Sequence, residues 1–306
     1  MSTKNNNYLI VVIGPTAIGK TALGIKLAQH FNTNIISCDS RQFYKEMAIG
    51  TAVPSKEELA AAPHHFIQNI SIHDTYSVGD FEREALAKLD ELFTDNPIQV
   101  MVGGSGLFVN AILNGLDDFP DVDPGIREQL NQDLAEKGLP YLQNMLKELD
   151  PIHYEKVAID NPQRVTRALE ICIGTGKPYS SFLNIKQHTR NFTPIVIGLE
   201  ADREKMYERI NKRVDIMLDN GLLKEAQELY PYRDNNALQT VGYRELFAYF
   251  DNEFTLEFAI EEIKKNTRRF AKRQITWFKR TPDVMWFDYL TNADKITQAI
   301  ENVIAE

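Results

Sequence analysis

The stretch YLIVVIGPTAIGKTALGIKLAQH, residues 8–30, decides the fold. Its first six residues are apolar, too few to cross a bilayer and suited to a buried strand. Its last eleven, 20–30, read as a helix. Between them Gly14-Pro-Thr-Ala-Ile-Gly19-Lys20-Thr21 matches G-x-x-x-x-G-K-[ST] in the strand-to-helix context that motif requires. Glycines let backbone N–H groups converge on phosphate oxygens, and the helix N-terminus adds partial positive charge. Gly14, Pro15, Thr16, Ala17, Ile18, Gly19, Lys20 and Thr21 are therefore the candidate phosphate-binding residues. Lys20 supplies a full charge, and the Thr21 hydroxyl is the candidate Mg²⁺ ligand.

Further apolar runs lie at 34–38 (NIISC) and 98–102 (IQVMV), with helical periodicity at 80–93. Strands alternating with helices predict a parallel sheet covered on both faces. The pattern then changes. From Leu116 to Asn191 no strong strand is legible, and 124–137, 139–149 and 160–173 read as helices. Strand signal returns at 194–200, followed by helices at 203–219, 222–230 and 255–279 and a short strand at 284–288. The expected architecture is an α/β P-loop NTPase-like parallel-sheet core from residues 1–115 and 192–306, interrupted by a mostly helical insertion over 116–191.

Composition fits that picture. The chain has 306 residues, 43% of them hydrophobic and 25% charged, which excludes a disordered or collagen-like chain. No apolar run reaches membrane-spanning length, and residues 8–13 lack a basic leader and cleavage site, so a cytoplasmic protein without membrane association is expected. Cys38 and Cys172 are too few for a disulfide framework and lack the spacing of a zinc site. The formal net charge of −9 disfavours a polyanion partner only if charge is evenly spread.

It is not. Between Lys264 and Arg280 there are eight Lys/Arg and no Asp/Glu. Lys264, Arg268 and Lys272 recur every four residues, as do Lys265, Arg269 and Arg273, giving a helix one broad basic face. Ile263, Phe270 and Trp277 recur every seven and are expected to point inward. Such a face suits a polyanion. Arg164 and Arg167 lie three apart on a second helix, where a surface ion pair with Asp160 or Glu170 is, taken alone, the slightly favoured reading. Arg213, on the helix after the strand at 194–200, is placed to reach back to phosphate, with a salt bridge as the default reading. The third strand ends in Gly103-Gly104-Ser105-Gly106 rather than a metal-binding Asp, which weakens ATP-hydrolase and motor readings. Asp39, after the second strand, falls where parallel sheets bind ligands; it reads as a general base or metal partner, or equally as a turn cap. His64-His65 reads as structural or substrate-contacting, with no ligand cluster nearby to make it a metal site.

Taken in order, GPTAIGKT (14–21), ISCDSRQFYKEMAIGTAVP (36–54), HHFIQ (64–68), GGSGLF (103–108), DNPQRVTRALEI (160–171), RINKRVDIMLDNGLLKEA (209–226), VGYREL (241–246) and TRRFAKRQITWF (267–278) resemble the bacterial tRNA dimethylallyltransferase (tRNA isopentenyltransferase) family. The resemblance implies a phosphate loop that cradles dimethylallyl diphosphate with Mg²⁺ near Thr21. It implies transfer of the dimethylallyl group to N6 of adenosine 37 in tRNAs reading codons that begin with U. Asp39 then matches the general base, and Lys20 and Arg213 match the groups that bind the leaving diphosphate. Asp39, Ser40, Arg41, Gln42, Ser105, Arg127, Gln163, Arg164, Val165, Thr166, Arg167, Val241, Gly242, Tyr243 and Arg244 match positions that contact tRNA. The basic helix adds Arg268, Arg269, Lys272 and Arg273. The expected partners are the anticodon stem-loop and dimethylallyl diphosphate, and the expected state is a monomer. The chain departs from the family pattern at Ala48 and Val53, where acidic and Lys residues are usual, and at Ile18, Ser105 and Phe108. A small-molecule P-loop kinase, a non-catalytic RNA-binding module that uses the P-loop as a switch, and an adenylate isopentenyltransferase acting on free AMP are the competing readings. The kinase gives the basic helix and insertion no role, and AMP needs no extended basic surface.

Overall fold

The computed structural model describes residues 7–185 and 189–306; residues 186–188 of the expected insertion lie outside the described residues. Six strands, β1 (Tyr8–Ile13), β2 (Ile35–Ser37), β3 (His64–His65), β4 (Ile98–Val102), β5 (Thr193–Glu200) and β6 (Met285–Asp288), form one sheet in the order β3-β2-β4-β1-β5-β6. Every pairing is parallel. β1 is central, running from Tyr8 opposite Ile98 to Val12 opposite Val102 on one side and from Tyr8 opposite Thr193 to Ile13 opposite Gly198 on the other.

Successive strand side chains point to opposite faces, and the buried residues follow that rule. Leu9, Val11 and Ile13 pack with Ile36, Met101 and Val196, whereas Ile10 and Val12 pack with Ile35, Val100, Ile195 and Ile197. Both faces are covered, which is why these strands read as continuous apolar runs instead of alternating ones. β3 was not legible. Two histidines pairing with Ile35 and Ile36 are too short to carry a periodicity.

The strands end in loops held at close quarters. At Gly103, after β4, an added Cβ would lie 2.3 Å from the Cys38 carbonyl oxygen, so only glycine lets the loops after β2 and β4 approach this closely. Those loops are also tied by Ser105, whose hydroxyl oxygen accepts from the Ser40 N–H at 3.0 Å and lies 3.0 Å from the Ser40 hydroxyl.

The chain divides into two compact units, Met1–Leu113 with Arg190–Glu306, and Asn114–Thr189. In the second, helices Pro124–Lys137, Leu139–Leu149 and Pro162–Thr175 enclose Leu130, Leu142, Leu146, Val165 and Leu169. Asp123 and Asn161 cap the first and last by accepting from the N–H groups of Gly125 and Arg164, and each is followed by a proline whose missing N–H costs a helix nothing at its first turn.

In the first unit, helices Arg203–Asp219, Leu222–Leu229, Tyr243–Phe250 and the basic helix Leu256–Phe278 build a further core around Val214, Leu222, Leu246, Phe247 and Ile263. Here one expectation is corrected. Of the heptad trio only Ile263 is buried; Phe270 and Trp277 are 39% and 42% exposed. Seven residues turn an α-helix about 20° short of two full turns, so a strict heptad drifts off a straight helix's buried face. The residues that stay on it are Ala259, Ile263, Ala271, Gln274 and Phe278.

Candidate active site

The phosphate loop leads from β1 into the helix Lys20–His30. Gly19 caps that helix in the left-handed conformation at φ 111, and its first turn carries no acidic residue, leaving the positive end to an anion. Thr16 through Thr21 line a cavity of about 490 Å³ together with Asp39, Thr51, Val53, His64, Arg209 and Arg213. Gly14 and Pro15 are not among its lining residues. This corrects the expectation that the whole motif faces ligand: an added Cβ on Gly14 would lie 2.6 Å from the Leu199 carbonyl oxygen, and the Pro15 carbonyl accepts from the Lys20 ammonium at 2.7 Å. The Ile18 side chain, 1% exposed, belongs to the core, so that position has only its backbone to offer a ligand.

A second cavity, of about 480 Å³, is lined by Ser40, Arg41, Ser105, Phe108, Val241, Gly242 and Arg244, and by Phe270, Arg273, Gln274 and Trp277 of the basic helix. The two cavities share Thr16, Asp39, Thr51, Ala52 and Arg213. One is lined by the anion loop, the other by rings and cations, and an acid and a guanidinium stand where they meet. The exposed Phe270 and Trp277 are thus walls of a cavity that the heptad reading had filled with core.

The electrostatics follow from burial. Burial pulls the Lys20 ammonium down to about 8; Asp39 opposes that shift and Arg213 adds to it. Lys20 is therefore mostly charged at pH 7. Burial also lowers Arg213, while Asp39 and Glu58 act against it. His64 is pushed down by burial, and its Nδ1 lies 2.8 Å from the Ala62 carbonyl, so it enters the cavity wall as a neutral imidazole at pH 7. Asp39 turns one carboxylate oxygen to the Arg41 N–H at 3.2 Å. That is the turn-capping contact weighed from sequence, and it coexists with a place in both cavities.

Several expected contact residues are spent on the protein itself. The Arg41 guanidinium donates to the carbonyls of Asn236 and Ala237 at 3.0 and 2.9 Å. The Gln42 amide donates to those of Thr51 and Ala52 at 3.1 and 2.8 Å. Tyr243 is fully buried with its hydroxyl donating to Glu225 at 2.7 Å, and Val165 and Thr166 are buried in the insertion. Direct side-chain contact from these three is corrected by their burial, whatever their backbones do. Arg127 and Arg167 both donate to one oxygen of the buried Glu170, at 2.8 and 2.9 Å, so the ion-pair reading of Arg167 holds, with Glu170 as partner. Gln163 and Arg164 are exposed on the same helix. On the basic helix Arg269, Lys272 and Arg273 are exposed, while Arg268 donates to Asn211 at 2.7 Å and lies over the Tyr207 ring. Its first cations are less free than the run of charges suggested: Lys264 pairs with Asp215 and Glu261, and Lys265 with Glu262.

Two residues were missed. Glu225 accepts from three consecutive N–H groups, Ala48, Ile49 and Gly50, at 3.0, 2.7 and 2.8 Å, fixing the loop that carries Thr51 and Ala52 between the cavities. Gln274 bonds to the phosphate loop across 258 residues of sequence. Neither partner set has a local signal, since each depends on segments far apart in the chain.

A parallel sheet with a glycine-rich loop after its central strand, its cavity meeting a second one walled by a basic helix, defines an α/β protein of the phosphate-loop class. Comparison with known proteins narrows this. Residues 42–281 match the family model described as IPP transferase. The chain is 64% identical over 300 residues to the tRNA dimethylallyltransferase of Flavobacterium psychrophilum, covering 96% of this chain and 98% of that protein. It is 63% identical over 299 residues to that of Christiangramia forsetii, covering 98% and 99%. Among solved structures it resembles the full-length tRNA isopentenylpyrophosphate transferase of Bacillus halodurans, with TM-score 0.72, 37% identity and coverage of 98% of this chain and 96% of that one. It also resembles a eukaryotic dimethylallyltransferase acting on tRNA, with TM-score 0.83, 29% identity and coverage of 97% and 79%. The chain belongs to the IPP transferase family, and it is an enzyme of the prenyltransferase kind.

Proposed function

We propose that this chain transfers a dimethylallyl group from dimethylallyl diphosphate to N6 of adenosine 37 in the tRNA anticodon stem-loop, releasing diphosphate. The observation that carries this reading is the pair Asp39 and Arg213 shared by an anion-loop cavity and a cavity walled by Phe270, Trp277 and Arg273. The curated relatives are named tRNA dimethylallyltransferase, which favours a tRNA acceptor over free AMP and over phosphoryl transfer.

The chemistry sets the division of labour. The N6 lone pair of adenine is delocalised into the ring, so the allylic carbon must be strongly electrophilic when the two meet. Cleavage of the C1–O bond runs ahead of N–C bond formation, and charge builds on the departing diphosphate. Lys20, Arg213 and the loop N–H groups are already in place for that charge, which makes them more effective than mobile solvent. Asp39 accepts the N6 proton as the new bond forms. The acceptor base leaves the loop stack to enter the second cavity, where Phe270 and Trp277 offer ring faces and Arg244 and Arg273 offer cations to neighbouring phosphates.

A magnesium ion fits the donors present. Among the described residues no cluster of three or more His, Cys, Asp or Glu could hold a metal unaided. Thr21 lines the anion cavity, and one protein hydroxyl with diphosphate oxygens and water would be an ordinary Mg²⁺ environment. When bound, the ion neutralises diphosphate charge. The described residues contain no helix long and apolar enough to cross a membrane. We place the reaction in the cytoplasm, with the enzyme acting as a monomer.

The test is incubation with Mg²⁺, radiolabelled dimethylallyl diphosphate and a stem-loop carrying A36-A37-A38, with AMP and ATP in parallel. Label in the stem-loop, lost when A37 is replaced by G, is expected. Label in AMP alone, or ATP consumption without prenyl transfer, refutes the reading. Asp39→Ala is expected to lower kcat about 100- to 10,000-fold with stem-loop affinity nearly unchanged; equal losses in both would reject the base role.

A further inference from the structure

Gln274 is the polar member of an otherwise apolar stripe. It lies on the basic helix between Ala271 and Phe278, both fully buried, and is itself only 6% exposed. Its side chain makes two bonds. Its oxygen accepts from the Thr16 N–H at 2.9 Å, and its amide donates to the Gly104 carbonyl at 2.8 Å. An added Cβ at Gly104 would fall 2.4 Å from the Gln274 amide nitrogen, and one at Gly106 would fall 2.4 Å from the Trp277 ring. The glycines after β4 thus admit this one face of the basic helix.

The residue after Thr16 explains why such a hold is needed. Ala17 has φ 62, a left-handed conformation that costs a side-chain-bearing residue about 1 kcal/mol or more and persists only where its surroundings over-determine it. The turn is held on both sides of Ala17. Gln274 takes the Thr16 N–H, and Arg209 donates to the Ala17 carbonyl at 2.8 Å. The bond to Gln274 also commits the Thr16 N–H, so the anion is left to the N–H groups further along the loop.

We propose that Gln274 is a positioning residue for the phosphate loop: from the helix assigned to tRNA it fixes the strained Thr16-Ala17 turn and so sets the geometry in which the loop receives diphosphate. The assignment deepens the prenyl-transfer reading and rests on it for the role of the helix; the anion loop can be tested without turnover. A methionine at 274 fills similar space in the apolar stripe but makes neither bond.

Gln274→Met is compared with wild type in three measurements on the full chain: titration with inorganic pyrophosphate and Mg²⁺, binding of the stem-loop, and amide hydrogen exchange. Pyrophosphate affinity is expected to fall about tenfold, the scale of one buried group left unpaired. Stem-loop affinity should fall less than pyrophosphate affinity, since the exposed cations that meet its phosphates are untouched. Exchange should accelerate in residues 14–19 and not in β1 or β4. Gln274→Glu, which sets a second oxygen against the Gly104 carbonyl, should lose pyrophosphate affinity at least as far. Unchanged pyrophosphate affinity in a folded Gln274→Met overturns the proposal, as does exchange acceleration spread through the sheet, which marks a packing role. Normal pyrophosphate binding without prenyl transfer in wild type would refute the function and leave the loop assignment standing.

Discussion

Replacing Lys20 with methionine should make the ligand-free protein more stable while removing its grip on diphosphate. The fall of the ammonium from 10.5 to about 8 corresponds to about 3 kcal/mol of folding free energy spent on holding a charge in a buried place. Part of the side chain remains open to the cavity, which screens some of that cost. The variant also loses the 2.7 Å bond to the Pro15 carbonyl, worth about 1 kcal/mol. The net expectation is a gain of about 1–2 kcal/mol at pH 7, or a rise in Tm of about 2–6 °C. The pH dependence separates this cause from better packing. A lysine lowered on folding costs its full penalty below about pH 8, where both states are charged. Above that, the folded protein releases a proton that the unfolded chain still binds, so the wild type recovers stability as pH rises toward 10.5. The difference between variant and wild type should therefore shrink by about 1–2 kcal/mol between pH 7 and pH 9.5. Calorimetric unfolding of both proteins at the two pH values decides it. A Lys20→Met protein less stable than wild type, or a difference that ignores pH, would refute the reasoning.

Two further outcomes follow from the packing. Among the described residues the buried Thr166 hydroxyl has no hydrogen-bond partner, so Thr166→Val, which keeps the shape, should raise insertion stability by about 1 kcal/mol in denaturant unfolding; a loss would show that the hydroxyl is satisfied. Glu225→Gln should release at least one of the three N–H groups it holds, raising the KM for dimethylallyl diphosphate about 3- to 30-fold and speeding exchange in residues 48–52, because that loop walls both cavities; unchanged exchange there would reject the clamp.

What sequence made legible was whatever local chemistry carries. Gly14 to Thr21 announces an anion loop because glycines, a lysine and a hydroxyl must be adjacent for backbone to wrap phosphate, and the structure lines a cavity with Thr16 through Thr21. The buried strands from Tyr8 and Ile98 and the insertion's helices were readable from apolar runs, prolines and caps. What stayed hidden was whatever distant segments settle between them. Arg41 and Gln42 look like ligand-facing polar residues, yet each finds two backbone carbonyls that the fold would otherwise leave to water. Phe270 and Trp277 were misplaced because a seven-residue repeat is not the period of a straight helix. Gln274 is indistinguishable in sequence from any helical glutamine; its meaning comes from Thr16 and Gly104.

The position of β1 at the centre of the sheet bears on how the chain is made. Its five residues Leu9–Ile13 are fully enclosed, and both partners, β4 and β5, lie about 90 and 180 residues further along. A strand emerging from the ribosome before either neighbour exists must travel some time as an exposed apolar segment, open to self-association until the later strands arrive. The most buried strand of this sheet is therefore enclosed on both sides only once β5, far along the chain, has been made.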